Sequence, residues 1–125
     1  MKIRVTLIQY DLLENEEKVI ADGNAIYENN HLKYKEKDED AFHIVTFEED
    51  TVTLERKCDI SSKTVLHDGR YGHSVVTSPY GDMDFKTFTQ QIVKNDEEMI
   101  VEYSLFSENN EILHQRLVWK LEYFS

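Results

Sequence analysis

Thr77-Ser78-Pro79-Tyr80-Gly81 is the stretch that decides the fold, because it holds the chain's one proline and stands between two long segments of alternating polarity. Pro79 fixes its own φ and holds Ser78 extended, while Gly81 can take the positive φ expected of a type II turn. A strand therefore ends near Thr77 and another begins near Asp82. On the C-terminal side Met83, Phe85, Thr87 and Thr89 share one parity and run on through Ile92 and Val93 to a polar turn at Asn95-Asp96. Met99, Val101, Tyr103 and Leu105 share a face of the next strand. Glu108-Asn109-Asn110 turns the chain again, and Leu113, Leu117, Trp119 and Leu121 complete it.

On the N-terminal side, Val65–His67 and His73–Val76 flank the loop Asp68–Gly72. Further back lie Thr51–Lys57 and Phe42–Phe47, separated by Glu48-Glu49-Asp50, and then a polar break at Lys37–Asp40. Asn29-Asn30 reads as a tight hairpin, since asparagine tolerates positive φ. Gly23, in the middle of Val19–Tyr27, is expected to mark a bulge. Ile3, Val5 and Leu7 alternate with Lys2, Arg4 and Thr6 as a first strand with one buried face. Asp59-Ile60-Ser61-Ser62 reads equally as turn or strand.

About ten short strands with turns at roughly 8–12-residue intervals, and no sustained helical spacing, predict an all-β protein. The short connections predict antiparallel neighbours. So long a meander leaves exposed edges unless it closes, so the expected fold is one domain over residues 1–125, a single antiparallel meander closed into a barrel of about eight to ten strands.

At 125 residues, with 40% apolar and 31% charged, the composition fits a soluble globular domain with a real core. The net charge of −11 opposes phosphate backbones and anionic lipid, so neither nucleic acid nor a membrane is an expected partner. A lone Cys58 allows no intrachain disulfide, and the amino terminus alternates rather than forming a signal peptide's apolar block. A cytoplasmic location is expected.

Glu55-Arg56-Lys57 at a strand end, Tyr80-Gly81 after Pro79, and the terminal strand pair Ile100–Leu105 and Leu113–Leu121 resemble, in order and spacing, the YwiB-like proteins of Gram-positive bacteria. That family usually has glycine where this chain has Cys58, and threonine where it has Ser78. The resemblance implies a calycin-like β-barrel, similar to lipocalins and fatty-acid-binding proteins. It supplies architecture and no mechanism.

Arg56 shares parity with Val52 and Leu54, which points a guanidinium inward, where it needs carbonyls or a carboxylate. Bonding to backbone at the rim is favoured over binding the acidic head group of a ligand. Phe85, Met99, Tyr103 and Trp119 are bulky enough to fill the interior, leaving a filled core and a cavity equally open. Tyr71 and Tyr80, on loops read as lying near one end, are candidates to line a barrel mouth. His67 and His73, with Asp68 beside them, make up a two-histidine, one-carboxylate set, but their spacing matches no metal motif, and His31, His43 and His114 read as scattered solvated side chains. No Gly-x-Ser-x-Gly sequence, phosphate-cradling glycine loop or cofactor motif is present. The chain therefore reads as non-enzymatic, with no cofactor and no metal. The reading it supports is a barrel binding a small, partly apolar molecule through Arg56, Tyr71, Tyr80, Phe85, Tyr103 and Trp119; the alternative is a protein-interaction module with a solid core. Oligomeric state is not set by the sequence.

Overall fold

A computed structural model describes residues 1–124. Ten strands run in chain order: β1 (Lys2–Asp11), β2 (Glu16–Glu28), β3 (His31–Lys35), β4 (Phe42–Phe47), β5 (Thr51–Lys57), β6 (Ser61–His67), β7 (Tyr71–Ser78), β8 (Gly81–Lys94), β9 (Glu98–Ser107) and β10 (Asn110–Tyr123). Each pairs antiparallel with the next, and β1 pairs with β10 from Ile3↔Tyr123 to Asp11↔Gln115, closing the sheet into a barrel. This is the expected calycin-like meander.

The turns follow local chemistry. Asn29 and Asn30 both have positive φ, as do Glu108 and Asn109. At the Pro79 hairpin, Ser78 pairs with Gly81, so Pro79 and Tyr80 are the two central residues. The positive φ of +124° falls one residue later, at Gly81, rather than inside a type II turn. Ser78 Oγ fixes this hairpin by accepting from the Tyr80 N–H at 3.2 Å and donating to the Gly81 carbonyl at 3.1 Å. The ambiguous stretch divides: Asp59 and Ile60 belong to the turn, Ser61 and Ser62 to β6.

The bulge expected at Gly23 sits elsewhere. Leu7 pairs with Ala21 and Ile8 with Val19, so Ile20 is the extra residue, while Gly23 pairs regularly with Val5. A different glycine is sterically required. A Cβ at Gly72 would overlap the Val65 carbonyl oxygen and lie 2.9 Å from Thr87 Oγ1, because β6 and β8 both crowd β7 there.

Antiparallel pairing sorts the turns onto two ends. One end carries the chain reversals at 12–15, 36–41, 58–60, 79–80 and 108–109; the other carries those at 29–30, 48–50, 68–70 and 95–97 with the start of β1 and the end of β10. The core packs toward the second end: Ile3, Leu32, Val45, Phe47, Val52, Leu66, Met99 and Val101 are all buried, and Trp119, 1% exposed, lies edge-on to Phe47 with ring centroids 5.8 Å apart. The barrel is thus filled in one half.

Three glycine substitutions separate these effects. Gly72→Ala is expected to destabilise by about 2–3 kcal/mol through overpacking, Gly81→Val by about 1–2 kcal/mol through backbone strain, and Gly23→Ala, with nothing within 4 Å of its new methyl, by less than either. Urea denaturation midpoints check the order; equal losses at all three sites contradict it.

Candidate functional site

The other half of the barrel encloses a cavity of about 330 Å3 that opens at the end carrying the 36–41 and 58–60 turns. Leu7, Ile20, Leu54, Leu117 and the Trp119 ring supply apolar lining. Polar side chains enter because the alternation continues to the strand ends: Leu32, Tyr34 and Glu36 share one parity, His43, Val45 and Phe47 another, and Val52, Leu54 and Arg56 a third.

Register sets four of these polar groups side by side. Tyr34 pairs with His43, His43 with Arg56, and Arg56 with Ser62, making a lateral row across β3, β4, β5 and β6. Glu36, just past the end of β3, reaches over this row. Its carboxylate accepts from Arg56 Nε at 2.5 Å, Arg56 Nη2 at 3.3 Å and His43 Nε2 at 2.5 Å. Arg56 Nη1 donates to Cys58 Sγ at 3.1 Å. Arg56 therefore points inward as expected but pairs with a carboxylate and a thiol instead of rim backbone.

The carboxylate has no proton to give, so His43 Nε2 carries the hydrogen, and its Nδ1 is left to accept from the Tyr34 hydroxyl at 3.2 Å. Tyr34 in turn accepts from Trp119 Nε1 at 2.7 Å. One directional chain of hydrogen bonds thus runs from the buried indole to the charged mouth, with the Tyr34 and His43 rings stacked at 4.9 Å. On another wall Gln9 donates to Gln115, and Gln115 donates to the Tyr103 hydroxyl at 2.6 Å. Thr64 and Ser74 share a buried hydroxyl pair at 2.7 Å.

Burial pushes His43 below the ordinary imidazole value, and the opposing pull of Glu36 does not restore it. For Glu36 burial acts upward, but the hydrogen bonds from Arg56 and His43 outweigh it and hold the carboxyl below its usual range. Burial raises Tyr34 strongly and pushes Tyr103 up to about 12. At neutral pH the cluster is a carboxylate, a guanidinium, a neutral imidazole and neutral phenols.

Of the six residues proposed from sequence, Arg56, Tyr103 and Trp119 line the cavity. Phe85 is half-buried, opposite Ser74, and is not in the lining. Tyr71 and Tyr80 do not share an end: they stand at opposite ends of β7. Tyr80, on the mouth-side turn, is 99% exposed, whereas Tyr71 is 61% exposed at the far end, against Phe88 and under Lys86. Among the described residues no three His, Cys, Asp or Glu side chains converge to hold an ion, and His67 contacts Thr51 instead. Sequence reasoning missed Tyr34, Glu36, His43 and Gln115. His43 and Glu36 were detectable as continuations of apolar parity.

The chain belongs to the family described as Domain of unknown function (DUF1934), which matches residues 3–118. Its fold is similar to the crystal structure of ywiB protein from Bacillus subtilis, with a TM-score of 0.62 and 14% sequence identity, covering 99% of this chain and 91% of that one. Identity that low conveys the fold alone. Among curated proteins none matches.

Two outcomes test the network. Tyr34→Phe removes the acceptor of Trp119 Nε1 and the donor to His43 Nδ1, so it should destabilise by roughly 1–3 kcal/mol; an unchanged urea midpoint would show that the chain is not formed. A group with a depressed folded pKa contributes stability that is complete above its unfolded pKa and declines as pH falls. The His43 contribution should therefore weaken below its unfolded value of 6.5, and that of Glu36 below 4.5. Urea midpoints taken from about pH 7.5 down to about pH 5 should fall, and His43→Gln should flatten that decline; an equal decline in both proteins assigns it to other groups.

Proposed function

We propose that this family member binds a small, partly apolar molecule in the mouth-side half of its barrel. The observation that supports the reading is the cavity itself. Its volume of about 330 Å3 falls at the lower end of the range of ligand pockets, roughly 300–1,000 Å3. An apolar wall with a few convergent polar groups matches how such pockets combine affinity with orientation. A barrel that served only as a solid scaffold would gain by filling this space, since empty volume forfeits packing.

The chemistry within reach favours binding over catalysis. Tyr34 is buried and committed to Trp119 and His43, and Cys58 is committed to Arg56 and the Ile60 carbonyl, so neither is presented as a nucleophile with a free base. A lone cysteine beside a half-buried arginine fits a reducing, cytoplasmic setting.

Native mass spectrometry of protein purified from cells without denaturation, set against the mass of the denatured chain, tests the reading. An added mass is expected, and Leu54→Trp, which places an indole in the cavity, should lose it while keeping the fold. Bare protein that also fails to bind the neutral dye N-phenyl-1-naphthylamine would overturn the proposal in favour of a protein-interaction module.

A further inference from the structure

The row Tyr34–His43–Arg56–Ser62 contains no carboxylate of its own, and within it His43 Nε2 and the Arg56 guanidinium direct N–H donors toward the mouth. The carboxylate bound there comes from outside the row, from the 36–41 turn. Glu36 lies against the Arg56 guanidinium through both oxygens and takes the His43 Nε2–H as well, its side chain only 8% exposed. That is how an incoming carboxylate would be held: two N–H groups of a planar guanidinium plus a third donor from the side. Arg56 has five N–H donors, and the bonds to Glu36 and Cys58 use three of them. Arg56 remains partly exposed and borders the cavity beside Leu54, so a head group at this place would have its apolar body against Leu54, Leu7 and Leu117.

We propose that this row is an anion site which Glu36 occupies as a built-in competitor, so that the cavity's ligand is an amphiphile with an apolar body and a carboxylate or similar oxyanion head that takes the place of Glu36 on Arg56 and His43. The inference rests on the cavity reading above and adds the class of head group. Anchoring of Glu36 is consistent with exchange. Its backbone stays fixed, with the Glu36 N–H on the Ala41 carbonyl at 2.9 Å and the Lys37 N–H on the Ile20 carbonyl at 2.8 Å, so release needs only side-chain rotation into solvent. The chain's net charge of −11 does not forbid an anion here. Exposed charges are largely screened beyond about 8 Å at physiological ionic strength, whereas contact with a half-buried guanidinium is screened much less.

Competition makes a directional expectation. If Glu36 holds the site in most molecules, the apparent affinity for an anionic ligand is reduced by the fraction in which the site is free. Glu36→Gln keeps the size of the side chain and removes its charge, so it should tighten binding of a carboxylate while leaving an equally long alcohol unaffected. Octanoate, octan-1-ol and octylammonium, which share one apolar body, are titrated against N-phenyl-1-naphthylamine bound to the full chain. In Glu36→Gln, octanoate should displace the dye at roughly tenfold lower concentration than from the unmodified protein, with octan-1-ol unchanged. The double variant Glu36→Gln/Arg56→Met leaves no buried carboxylate unpaired, and it should lose the preference for octanoate over octan-1-ol. Octylammonium displacing best, or octanoate gaining nothing in Glu36→Gln, overturns the anion site alone. Failure of the dye to bind any of these proteins overturns the cavity reading and this inference with it.

Discussion

Closure by ten strands is the constraint from which the rest follows. The interior of a barrel widens with strand number, and about eight strands already give a lumen that side chains just fill or that holds one small ligand. Pairing β1 with β10 removes both edges of the meander, which would otherwise be open to other chains, but it also encloses more space than a compact core needs. The chain fills that space from one end. Trp119, Phe47, Ile3, Leu32 and Met99 pack the half beside the start of β1 and the end of β10, and the half beyond Trp119 stays open.

Trp119 stands at the boundary and links the two halves chemically. Its ring packs on Phe47, and its N–H begins the chain through Tyr34 and His43 to Glu36 and Arg56. Burying polar groups is unfavourable unless every donor finds an acceptor, and a half-satisfied network is worse than an apolar wall. Here the members satisfy one another in a single direction, which fixes the tautomer of His43, while burial keeps the ring neutral against the pull of Glu36. The same residue types recur on Glu102, His114 and Arg116. That second cluster is not in the lining of the cavity, and a partly exposed ion group of this kind contributes little. Placement against a cavity, not composition, makes the Glu36 cluster a candidate site.

Most of the fold was legible because the strands kept their alternation over most of their length and reversals had their own turn chemistry, as Asn29-Asn30 and Pro79 illustrate. Arg56, Tyr103 and Trp119 were found because parity alone placed them inside. Tyr71 and Tyr80 failed because both read as loop residues, and only the eight-residue length of β7 separates them onto opposite ends. Glu36 was hidden differently. It is one of 25 acids and sits at the edge of a polar break, so its inward direction shows only when the alternation of Leu32 and Tyr34 is carried one step past the strand. Its partners come from β4 and β5, and such long-range register has no local signal. The bulge went to Ile20 and not Gly23 because the pairing of β1 with β2, rather than the glycine, decides where the extra residue falls.

The most direct test uses the chain's single tryptophan, since Trp119 borders the cavity. Excitation of Trp119 in the presence of N-phenyl-1-naphthylamine should give strong energy transfer to the bound dye, and both the binding and the transfer should be lost in Leu54→Trp, whose added indole fills the space. Dye that binds equally well to the filled variant would place it on the outer surface and contradict the account of a half-open barrel.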